Sequence, residues 1–182
     1  MATTNYKSTY TNLWDDVLYP SFYAAIRGTY YSHITRDNMD RECYAVARRA
    51  VEAFSLKWSK IDLSYETFYA VRLDDNTLEE VDENNPQAVP HAYFIEDVGN
   101  AEVEVILAWM KFYWAEMQVS NADNFVEMYA DSNIKTYSKA NAIDKFTKLM
   151  DTYRTYARSV EDRYSRINAL RRPSIGDINT DE

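Results

Sequence analysis

The stretch Ala101–Gln118, AEVEVILAWMKFYWAEMQ, limits the possible folds more than any other part of the chain. Val103, Ile106, Leu107, Met110, Trp114 and Met117 recur at helical spacing, while Val105, Ala108, Trp109, Phe112 and Tyr113 fill the opposite side. A helix that is apolar all round belongs in the middle of a protein or in a membrane. Glu104, Lys111 and Glu116 interrupt this one, and it falls short of the roughly 20 apolar residues a bilayer requires. The expectation is a central, buried helix in a mainly α, water-soluble helical bundle, with other elements covering it on several sides.

The remaining sequence offers those elements. With 182 residues, 3 Gly and 4 Pro, the chain favours long helices over a turn-dense β fold. Leu13, Trp14, Val17, Leu18, Phe22 and Ile26 form a helical stripe, with Asp15 and Asp16 in the first turn where acids suit the helix dipole. Pro20 is expected to kink or split this helix, and Gly28 and Tyr30–His33 to end it. Thr35 reads as an N-cap followed by Asp37 and Asp40, and Met39, Cys43, Val46, Ala50, Phe54 and Trp58 mark an amphipathic helix ending near Lys57–Lys60.

The period then changes. Thr67–Leu73 is β-branched and aromatic, Leu78–Val81 can return as a second strand, and Ala92–Ile95 can form a third after a loop holding Pro86 and Pro90. This gives a small, hairpin-like, acidic insertion at about 65–96, expected to protrude. Beyond the central helix come a polar break at Ser120–Asn124 and a short helical piece at Phe125–Tyr129. A long last helix follows, capped by Ser138. Its residues Ile143, Phe146, Met150, Tyr153, Ala157, Val160, Tyr164 and Ile167 are spaced alternately by three and four, a heptad seam suited to antiparallel packing inside one domain. One domain over 1–172 and a tail over 173–182 complete the outline.

Charge is unevenly distributed within a net −9. Ten acids and no Lys or Arg lie between Asp74 and Glu104, whereas Lys139 to Arg172 holds nine basic residues against four acids. No constellation points to catalysis or to a bound metal or cofactor. His33 and His91 sit in polar stretches outside any HExxH or ExxH pair, and no P-loop, GxGxxG or GxSxG is present. The run DDNTLEEVDENN lacks the central Gly and closing Glu of an EF-hand loop. Cys43, the only cysteine, falls on an apolar stripe and reads as a core residue; internal disulfides are excluded. The first residues show no basic region followed by an apolar core, so folding in a reducing cytoplasm is expected.

Four features in order carry a family resemblance: EVILAWMKFYWAEMQ, the break SNADNF, the segment TYSKAN at Thr136–Asn141, and a long helix closing in RYS at Arg163–Ser165. The chain resembles the small helical connector proteins of tailed bacteriophages, also called adaptor, neck or head-completion proteins, and is most similar to versions from short-tailed phages of gut bacteria. The likeness covers about residues 100–167, with a looser echo in 35–58. It implies a non-enzymatic structural virion protein at the head–tail junction, assembled in the host cytoplasm. About twelve copies would form a homo-oligomeric ring beneath the portal, above the next tail or neck ring, with DNA only passing through the lumen. The acidic strand-rich insertion departs from compact members of that family.

Opposite charge on two parts of one chain suits a head-to-tail interface. The expected contact residues are Arg154, Arg158, Arg163 and Arg166 on the last helix, and Asp74, Asp75, Glu79 and Glu80 in the insertion. Arg171, Arg172, Ile175 and Ile178 are expected to bring the tail to the portal. A different reading makes the chain a cytoplasmic helical module that binds a partner through its heptad face.

Overall fold

A computed structural model describes residues 12–26, 35–58, 63–74, 77–120 and 139–170. It is mostly helical with one small sheet: α1 (Trp14–Ala25), α2 (Arg36–Lys57), β1 (Tyr65–Asp74), β2 (Thr77–Glu80), β3 (Val89–Phe94), α3 (Asn100–Ser120) and α4 (Lys139–Leu170). Among the described residues no helix is long and apolar enough to cross a membrane.

Helix α3 is central, as its all-round apolar surface requires. It packs on α4 along one side and on α2 and α1 along the other. The α3–α4 pair is antiparallel: Arg163 bonds Glu104, Lys111 Nζ lies 5.4 Å from the Tyr156 ring, and Arg154 lies 5.0 Å from the Phe112 ring. Val105, Ile106, Ala108, Met110, Trp114 and Ala115 are buried in the resulting core. Trp109 is only half-buried, on an edge of α3 where it meets Phe112 and Tyr113. Such an edge lies between two covering layers rather than under one.

The heptad seam of α4 faces inward. Ala157, Val160 and Tyr164 are buried, Ile143, Phe146, Met150 and Tyr153 are half-buried, and only Ile167 is exposed. Tyr164 packs tilted against Phe54 and edge-on to Trp58 at the end of α2, and Lys57 bonds the buried Glu161 carboxylate at 2.8 Å. The chain itself thus covers this face most fully at Ala157, Val160 and Tyr164.

The sheet has the order β2-β1-β3, all antiparallel, with Tyr65 opposite Phe94 and Ala70 opposite both Val89 and Glu80. It does not simply protrude. Strand β3 packs on α1 and α2, placing Ala92 and Phe94 in the main core, while Leu13, Phe68, Ala70 and Leu78 form a smaller core of their own. Pro90 lies within β3 rather than in a loop; β3 is an edge strand, where a missing N–H is tolerated.

Two further expectations need correction. Pro20 does not split α1, which runs unbroken through it; its ring is solvent-exposed, so water can serve the carbonyl that loses a partner. Thr35 has the extended backbone of an N-cap but makes no side-chain capping bond. The end of the first helix at Gly28 and Tyr30–His33, the piece at Phe125–Tyr129, the Ser138 cap and the tail lie outside the described residues.

Candidate functional site

Helix α4 is 32 residues long, about 48 Å at 1.5 Å per residue. With its seam turned to α3, its opposite face carries Thr155, Arg158, Ser159, Asp162 and Arg166, which together with Arg163 line a shallow surface depression. The four arginines expected to act together are in fact divided. Arg154 covers the Phe112 ring and lies 3.9 Å from Asp151, and Arg163 is bonded to Glu104. Arg158 and Arg166 stay exposed on the outer face. Glu104 belongs to the acidic stretch, so the acidic and basic regions touch within one subunit there, contrary to a purely intersubunit pairing.

The acidic surface that remains lies on the sheet. Glu80, Asp82 and Glu83 are exposed and Glu79 is half-buried, on or just after edge strand β2. Asp82 accepts bonds from the backbone and side chain of Asn84, which hold its carboxyl below the usual range. The sheet rests on α1 and α2, whereas α4 rests on α3. One flank is therefore basic and helical, and another acidic and β. Of Asp74 only the backbone is described; Asp75, Arg171, Arg172, Ile175 and Ile178 lie outside the described residues.

The junction between sheet and helices holds a second cluster that the sequence did not announce. Arg72 of β1 bonds Asp15 of α1 at 3.1 Å and Asp40 of α2 at 3.2 Å, and Arg36 also bonds Asp40 at 3.1 Å. His91 of β3 stacks on Phe68, with its Nδ1 4.0 Å from Asp15 Oδ2, too far for a hydrogen bond. Asp15, Asp40 and His91 are all buried. Burial raises the Asp40 carboxyl above its ordinary value, against the opposing pull of Arg36 and Arg72. Burial also pushes the His91 imidazole down to about 4; Asp15 opposes this and Arg72 adds to it. The imidazole is thus neutral at pH 7.

This cluster does not bring three metal-ligating side chains together, and neither does any other group of His, Cys, Asp or Glu among the described residues. Cys43 is buried in the main core, and burial pushes its thiol up to about 12, far from a reactive thiolate. Asp15 resembled an ordinary first-turn acid, Asp40 a further acid near the start of an amphipathic helix, and His91 a residue of a polar stretch. The available signal was weak: an Arg inside the apolar run TFYAVRL, which in a half-buried strand needs an acidic partner. The chain has no significant match to any protein-family model, curated protein or solved structure.

Proposed function

We propose that this chain is a structural, non-enzymatic virion protein of a tailed phage, forming a connector ring of about twelve copies between portal and tail and extending the DNA channel. The resemblance over about residues 100–167 favours that family, and one observation supports the assembly: two unlike surfaces of opposite charge, on different layers of the subunit. A basic helical face and an acidic sheet edge cannot pair with themselves. They suit a heterologous contact, which repeats from copy to copy and closes when the rotation permits. Arg158 and Arg166 on one copy would meet Glu80 and Glu83 of the next. The remaining acidic surface lets DNA pass without phosphate contacts that would retard it.

The test is a charge swap on the purified chain. R158E/R166E leaves both surfaces acidic, and E80R/E83R leaves both basic. Each variant alone is expected to lose self-association, most completely at low salt, where charges are least screened. Mixing the two restores alternating assemblies. Undiminished association of either variant alone removes this contact.

A further inference from the structure

We propose that the open face of the sheet is an apolar seat for α4 of a neighbouring copy, with Val71 and Leu73 of one chain taking Tyr156 and Ile167 of the next. This deepens the connector reading and rests on its head-to-tail contact. It gives that contact a centre from which water is excluded, inside the charged rim.

An antiparallel sheet with one solvated face alternates apolar residues inward with polar residues outward. Strand β1 keeps only half of that rule. Phe68 and Ala70 are buried in the smaller core, as inward positions should be. The set that alternates with them, Thr67, Tyr69, Val71 and Leu73, is half-buried or exposed, yet three of its four members are apolar or aromatic. Tyr44 of α2 bonds Thr67 and so reaches that end of the row. Further along, Tyr69 stands opposite Pro90 and Val71 opposite Glu79, which widens the row across the sheet and sets an acid at its side. Leu73 closes the row and is 51% exposed.

Helix α4 carries the complement. Among the described residues five large hydrophobic side chains are exposed: Leu56, Leu73, Ile95, Tyr156 and Ile167. Three of them fall on the two surfaces of opposite charge. Tyr156, Arg163 and Ile167 are seven and four residues apart, so they form one line along a flank of α4, beside its buried seam and next to Arg166. The two lines also match in length. The four steps of strand from Tyr69 to Leu73 span about 13 Å, and the eleven of helix from Tyr156 to Ile167 about 16 Å. Within one copy they stand apart, the sheet resting on α1 and α2 and α4 on α3. A second copy brings α4 to the sheet, with its arginines toward Glu79 and Glu80 at the rim. An apolar centre inside a polar rim is how specific protein contacts are built.

Sedimentation equilibrium of the purified chain and of its L73S and I167S variants tests the seat. Both residues are exposed, so the fold should survive either change, which circular dichroism checks. Each variant should weaken self-association about ten-fold or more. That loss should persist in about 1 M salt, where charges are screened beyond about 3 Å. Association unchanged by L73S and I167S but lost in R158E/R166E overturns the seat and leaves the charged contact standing. Association lost in L73S but kept in R158E/R166E supports the seat and removes the charged contact. A chain that stays monomeric at every concentration overturns both. Cross-linking then locates the contact, since the native thiol, Cys43, is buried. L73C mixed with I167C should join through a short bis-maleimide, and L56C mixed with I167C should not. Equal yields from the two mixtures overturn the proposal.

Discussion

The body formed by α2, α3 and α4 and the junction beneath the sheet are both buried, yet different physics holds them. In the body, Phe54, Ile106, Met110, Trp114, Ala157 and Tyr164 are joined by apolar and aromatic contact, which depends little on pH or salt. At the junction, Asp15, Asp40 and Arg72 must be paired to be buried at all. Taking charges out of water costs several kcal/mol per ion, and their mutual attraction returns this only while every partner is present. A packed core degrades gradually as side chains are trimmed. An ionic junction fails when one member changes charge.

Substitutions in each region sharpen this contrast. Trp114→Ala empties a site at the heart of the body and should cost about 3–5 kcal/mol by chemical denaturation. Trp109→Ala, on the half-buried edge, should cost about half as much; equal costs would mean that the edge is packed as tightly as the centre. Arg72→Met should approach the Trp114→Ala effect, at about 3–5 kcal/mol, because it takes the bonded guanidinium from buried Asp15 and leaves Asp40 with Arg36 alone. The triple variant D15N/D40N/R72M should be milder than Arg72→Met alone, since no unpaired charge remains. If it is worse, the junction is held by net attraction rather than by the need to pair.

The smallest effect belongs to the surface. Arg163→Ala removes the bond to Glu104 between α3 and α4, but both side chains are about half exposed, at 58% and 47%. The loss should stay below about 1 kcal/mol and shrink further in high salt. A larger loss would show that α4 relies on charge, and the contrast between body and junction would blur.

How far the sequence could be read follows the same division. An all-round apolar helix has few ways to be covered, so α3 and its antiparallel partner α4 were legible from spacing alone. The stripe of α2 and the β-branched run of β1 were equally direct. Burial of Asp15 and Asp40 was not, because an acid near a helix start looks the same whether it faces water or an arginine far along the chain. Only the fold brings Arg72, 57 residues from Asp15 and 32 from Asp40, to both. The division of the α4 arginines was hidden for the same reason: Phe112 and Glu104 claim Arg154 and Arg163 from another helix. The aromatic edge at Trp109 was misjudged because helical periodicity gives directions, not the width of the layers that cover them.

The functional account is tested most directly on the particle. DNA-filled, portal-bearing heads lacking their neck and tail proteins are incubated with the purified chain and imaged by cryo-electron microscopy. The account predicts a closed ring of this protein beneath the portal, with α4 of each copy against the sheet of its neighbour and an open channel along the axis. Heads whose portals stay bare at saturating protein would contradict it.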